Sequence, residues 1–213
     1  MQALAIFLGL TILTLSRAEI IDRVAVALDN QVITQSEIMQ EIRVTSFLNG
    51  ESLDFSPGAR RQAADRLIEQ KLIRREIALG RYAQPSLVDA DSSLEQVKKQ
   101  RFTSEAEYRE ALEKYGLKED ELKAHLLWQI TLLRFVGVRF RPSIQVSAEQ
   151  THQYFEKQQG EMEKVAGKPL VFDEARDDIE EILIAQQVDQ QLDRWLAQAR
   201  ERAHIEFRSE VFQ

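Results

Sequence analysis

With 213 residues, 44% hydrophobic and 30% charged, and only eight Gly and four Pro, the chain can bury a sizeable core and favours long amphipathic helices over a sheet-rich fold. Its formal net charge of −7, without a basic cluster interleaved with aromatics, argues against a nucleic-acid backbone as partner. It contains no cysteine, which excludes disulfides, thiol catalysis and thiolate-held metals.

The chain opens on an uncharged apolar run, residues 3–15. As a helix it would rise only about 20 Å, short of the roughly 30 Å of bilayer hydrocarbon. Ser16-Arg17-Ala18 places small residues three and one before a cut after Ala18. Residues 1–18 thus read as a signal peptide, although no Lys or Arg precedes the apolar run. The expected location is the periplasm, with no stable membrane insertion after cleavage.

Arg23–Leu28 reads as a short strand, Asp29-Asn30-Gln31 as a turn and Val32-Ile33 as a second extended piece. Thr34 and Glu37 have the spacing of a capping box. The helix they open carries Ile38, Met39 and Ile42 and ends near Asn49-Gly50. Ser56-Pro57 starts the next helix, with Ala63, Leu67, Leu72 and Ile77 on its apolar face and Gly80 as its stop. A weaker helix follows near residues 89–100. Ser104 and Glu107 then repeat the capping-box pattern before a short helix with Tyr108, Leu112 and Tyr115, stopped at Gly116.

The helix from about Lys118 to Arg139 has two apolar stripes. Leu122, Leu126, Ile130 and Leu133 form one; Trp128, Leu132, Phe135 and Val136 form the other. Such a helix must be covered twice or must offer one face to a partner. Arg141-Pro142 ends it. Ser147 opens a helix with Tyr154 and Phe155, and residues 160–168 read as a linker. From Asp173 a helix of about 30 residues begins. Its apolar face changes midway, from Ile179 and Leu183 to Ile184, Val188, Leu192, Trp195 and Leu196. His204–Phe207 alternates like an edge strand.

No constellation for catalysis emerges. The three histidines, His125, His152 and His204, form no metal-binding motif. His152 and Glu156 share a helix face as an ordinary surface pair. No Gly-x-Ser-x-Gly elbow and no phosphate loop occurs, and no cofactor is expected. The acidic stretch 173–181 suits a helix N-terminus. Large aromatics such as Trp128 and Trp195 usually dominate cores. Phe47 and Leu48 at a helix end, Phe140 beside Pro142, and Tyr154-Phe155 suit a binding surface as well as a core. With Met39 and the second-stripe residues Trp128, Leu132 and Phe135, they make up the candidate polypeptide-binding set.

The segment Ile21–Glu37, with its short strand, Asn-containing turn and Val-Ile-Thr-Gln-Ser-Glu helix start, resembles the opening of SurA-type periplasmic chaperones. Leu67–Ile73, Phe102–Leu122 and Arg139–Gln150 resemble that family's next landmarks, and Phe172–Phe207 resembles its C-terminal helix and strand. The resemblance implies a mainly α fold, a helical chaperone core with a small β-ribbon joining Val24–Leu28 to Ile205–Phe207. It divides the chain into an N-terminal region 19–158, a linker 159–170 and a returning segment 171–213. In the family a parvulin-type prolyl isomerase module, several times longer than this linker, occupies that place. The resemblance therefore implies a chaperone without isomerase activity: no enzyme, but an ATP-independent binder of unfolded outer-membrane or other exported proteins. The alternatives are residual peptidyl-prolyl isomerase activity, or an adaptor for one folded envelope partner. Self-association through the same apolar surface is a further expectation.

Overall fold

The computed structural model describes residues 22–80 and 82–213. The signal-peptide reading of residues 1–18 lies outside them. The fold is mainly α, with a small antiparallel sheet. In chain order the elements are β1 (Val24–Leu28), β2 (Gln31–Thr34), α1 (Gln35–Asn49), α2 (Pro57–Leu79), α3 (Leu87–Arg101), α4 (Glu105–Tyr115), α5 (Glu119–Arg139), α6 (Ala148–Ala166), α7 (Phe172–Arg202) and β3 (Ile205–Phe207). Short 3-10 turns follow α5 and β3. Among the described residues no helix is long and apolar enough to cross a membrane.

The helix starts follow their local chemistry. Thr34 Oγ1 accepts from the Glu37 N–H at 3.3 Å, and the Thr34 N–H donates to the Glu37 carboxylate at 2.7 Å, completing the expected capping box. Ser56 caps α2 with Pro57 in the first turn. At α4 only half the expected box forms. Ser104 Oγ accepts from the Glu107 N–H, but the Glu107 carboxylate turns back to the Thr103 N–H (2.8 Å) and hydroxyl (2.7 Å). The helix expected near 89–100 is slightly longer, because Ser86 and Asp89 cap each other's backbone.

The sheet has the order β2-β1-β3, so the strand nearest the N-terminus lies at its centre. β1 pairs with β2 through Val26↔Ile33 and Ala27↔Val32, and with β3 through Val26↔Phe207 and Leu28↔Ile205. β3 is an edge strand that brings the C-terminal segment back to the N-terminal one. Asp29 in the β1–β2 turn fastens this closure. Its N–H donates to the His204 carbonyl at 2.9 Å, and its carboxylate accepts from the His204 N–H (2.8 Å) and from Arg75 on α2 (2.6 Å).

Four clusters of buried side chains hold the elements together. The first lies under the sheet, where Val26, Ile33 and Ile38 meet Ala64, Ile68 and Leu72 of α2. The second joins α1, α3, α4 and α5 through Val44, Phe47, Leu94, Tyr108, Leu122 and Leu126. The third joins α2, α5 and α7 through Ile73, Ile77, Trp128, Phe135, Phe140 and Val188. The second stripe of α5 is covered by the third cluster, and Leu122 and Leu126 of the first by the second cluster, while Ile130 is half-buried outside both. Leu133, at the end of the first stripe, is 73% exposed. The fourth cluster, Phe155, Ala175 and Ile179 with Tyr154, Met162, Leu170, Phe172 and Leu183 packed on it, belongs wholly to α6, α7 and their connection. The change of face along α7 is therefore real: Ile179 and Leu183 meet α6, while Ile184, Val188 and Leu192 meet the main lobe.

The linker expected at residues 159–170 is mostly helix. α6 runs without a break through Gly160 to Ala166, leaving only Gly167–Val171 as connection. Gly160 has helical neighbours that form well, and a single glycine weakens a helix by only about 1 kcal/mol. The stop is Gly167, whose φ of 67° caps the helix in the left-handed region.

Candidate functional site, a groove between two helices

α2 and α5 face each other across a groove made of three adjoining hollows. The first, about 180 Å³, is polar and lies where α1 also contributes; Glu37, Gln40, Glu41, Arg74, Glu121 and His125 are among its walls. It shares Arg74 and Trp128 with the second, about 380 Å³. The second shares Ile77, Gln84 and Thr131 with the third, about 180 Å³ and apolar, which Tyr82, Phe135 and Val138 complete. From Glu121 to Val138 the groove follows α5 for about 25 Å. An extended polypeptide of about seven residues has that length.

The groove's wall is rigid where it is apolar. Phe135 is buried and meets Tyr82 at 5.1 Å, Phe140 at 5.9 Å and Trp195 at 5.9 Å between ring centroids. Such tilted and edge-to-face contacts match the quadrupoles of the rings. The Arg74 guanidinium lies over the Trp128 ring at 4.0 Å, a cation–π contact where the first hollow meets the second. At the apolar end, Arg134 on α5 pairs with Asp89 on α3 at 3.1 Å. Around that junction Leu87, Val88, Leu133 and Val138 are all exposed.

The polar end is organised by Glu41, whose side chain is only 6% exposed. Its carboxylate accepts from Arg66 at 3.0 Å and from Gln70 at 3.4 Å, and Thr45 donates to it at 3.4 Å. His125 Nδ1 stands 3.9 Å away. Burial holds the His125 imidazole below its ordinary pKa; the Glu41 charge opposes this and the Arg66 charge adds to it. His125 is therefore neutral at pH 7. Thr131, the hydroxyl in the middle of the groove, donates to the Leu127 carbonyl at 2.8 Å. Among the described residues no group of three or more His, Asp or Glu is placed to hold a metal ion. What this arrangement offers is shape, apolar surface and fixed charges at one end.

The nine residues expected to bind polypeptide do not form one surface. Phe47, Trp128, Phe135, Phe140 and Phe155 are core residues, each 8% exposed or less. Phe47 stacks on Phe102 at 5.9 Å within the second cluster, where the last turn of α1 packs on α3 and α4. Phe140 packs on Phe135 and Trp195 rather than turning outward at Pro142. Phe155 sits against Phe172 in the α6–α7 cluster. Met39, Leu48, Leu132 and Tyr154 are half-buried. Only Trp128 and Phe135 come together at the groove. Arg74, Tyr82, Gln84, Thr131 and Val138 complete it, and Val138, 65% exposed near the end of an apolar helix, is the one the sequence pattern could have flagged. No family model matches this chain, and no curated protein matches it.

Proposed function

We propose that the protein is an exported, ATP-independent chaperone of the SurA type, reduced to its helical core and binding unfolded outer-membrane or other exported polypeptides without prolyl isomerase activity. The observation that carries the reading is the α2–α5 groove: open, and apolar at the end walled by Ile77, Tyr82, Phe135 and the exposed Val138. Exposed apolar patches of this kind mark interaction sites. A rigid aromatic wall can receive alternate side chains of an extended strand, and holding such a strand keeps its unpaired edge from pairing with another chain. The closing of β3 onto β1 also supports the reading, since it joins the two sequence stretches that resemble the family into one lobe.

The test is light scattering from an unfolded β-barrel outer-membrane protein diluted out of denaturant. Suppression of aggregation by a several-fold excess of this protein is the expected result, and no suppression overturns the reading. Faster proline-limited refolding at substoichiometric protein would instead assign isomerase activity. Capture of one folded envelope protein in fixed stoichiometry would assign an adaptor.

A further inference from the structure

The α6–α7 pair carries a hollow of its own, about 550 Å³, within the size range of ligand sites. Its apolar lining includes Tyr154, Met162, Leu170 and Ile182, and Val165 beside it is 91% exposed. Carboxylates rim it: Glu161, Glu174 and Asp178, against the single cation Lys168. Lys168 is shared with Glu174 at 3.8 Å, and Glu161 pairs with Lys164 at 2.6 Å across one helical turn. Asp178 has no cation within ion-pair distance among the described residues.

The wider charge distribution has the same sign. Residues 149–181 hold ten carboxylates and four Lys or Arg, so this stretch supplies −6 of the chain's −7. The rest of the molecule is close to neutral. An apolar hollow in a field of this sign attracts an apolar ligand that brings its own cations. The same field opposes nucleic acid and anionic lipid surfaces. It opposes a second copy of this chain as well, since the copy brings the same net negative charge to the contact.

We propose that the α6–α7 hollow is a second polypeptide site, selective for apolar segments that carry Lys or Arg at close spacing. The proposal rests on the reading of this protein as a binder of unfolded chains, but not on the α2–α5 groove. The apolar side chains of such a segment enter between Met162 and Ile182, and its cations meet Glu161 and Asp178 at the rim. One client could thus be held at two places, an apolar stretch in the groove and a basic stretch at the helix pair. Two linked weak sites bind one chain more tightly than either alone, yet each still releases quickly.

The experiment is fluorescence anisotropy with two fluorescein-labelled peptides of equal length, one of alternating lysine and leucine and one of alternating glutamate and leucine. The lysine peptide should bind at least about tenfold more tightly, and the difference should shrink as salt is raised. Glu161→Gln with Asp178→Asn should abolish the preference. Val165→Ser with Ile182→Ser should weaken the lysine peptide, with far-UV circular dichroism unchanged because both side chains are exposed. Val138→Asp, in the other groove, should leave the preference in place. Equal binding of the two peptides, a preference that survives the double carboxylate change, or one that vanishes with Val138→Asp would each overturn the inference. Light scattering with the β-barrel client separates the two readings. Suppressed aggregation without lysine-peptide selectivity defeats only this inference, whereas selectivity without suppression defeats the chaperone reading and leaves a peptide-binding site.

Discussion

The α2–α5 groove and the α6–α7 hollow differ in what stands behind them. Behind the groove lies the third cluster, where Phe135, Phe140, Trp128 and Trp195 are locked ring against ring. Behind the hollow there are three buried residues, Phe155, Ala175 and Ile179, contributed by two helices that share this cluster with no other element. One surface is a rigid wall of the main lobe; the other is the seam of a helix pair that few apolar contacts hold together. Stability is not uniform in such a molecule, and the part with the smaller core opens first. The two regions also differ in charge, near neutral in one and strongly acidic in the other. The two proposed sites thus differ in what supports them, a packed aromatic core behind one and a small cluster between two helices behind the other.

The largest effect that would sharpen this contrast is on stability. Phe135→Ala should destabilise the protein by about 3–5 kcal/mol, since it removes the centre of an aromatic cluster and leaves a cavity. Phe155→Ala removes a side chain of the same size but should melt only α6 and the start of α7. Thermal unfolding by circular dichroism and amide exchange separate the outcomes. One cooperative loss for both variants would erase the distinction between the regions. Next in size is Gly167→Ala, which forces a Cβ into the left-handed region at the α6–α7 joint and should cost about 1–2 kcal/mol. Gly160→Ala should act in the opposite direction, stabilising by about 0.5–1 kcal/mol, because a Cβ there meets nothing within 4 Å and the backbone is helical. A destabilising Gly160→Ala would mean that α6 does not continue through this position.

The smallest expected effect is that of pH. His125 has its pKa lowered in the folded state, so below its ordinary value near 6.5 the unfolded chain takes up a proton that the folded one still refuses. The stability contributed by neutral His125 is complete above that value and is lost as pH falls. Melting temperature should decline on acidification from pH 7, and His125→Gln should flatten that decline. A titration that shows no difference between the two proteins would contradict the buried, neutral imidazole.

Much of the fold can be read along the chain because its signals are local. Thr34 with Glu37, Ser56 with Pro57, and Ser147 each open a helix as their chemistry dictates. The change of apolar face along α7 correctly announces two neighbours. Gly160 misleads, because a glycine marks a break only where its backbone needs a conformation that other residues avoid. The site is far less legible. Phe47 and Phe140 stand at helix ends, and Phe155 lies within α6, all places where exposure and burial share the same sequence pattern. Packing against other elements decides for burial. Arg74 and Trp128 come together only when α2 meets α5, and no spacing within either helix records that meeting.

In the proposed mode of binding, unfolded polypeptide lies in the apolar end of the α2–α5 groove. Photocrosslinking tests it most directly, with a benzoylphenylalanine placed at Val138 in the groove or at Val32 on the far edge of the sheet; both positions are exposed. With an unfolded β-barrel client, strong adducts are expected from position 138 and only background from position 32. Equal yields at the two positions, or adducts only from position 32, would contradict it.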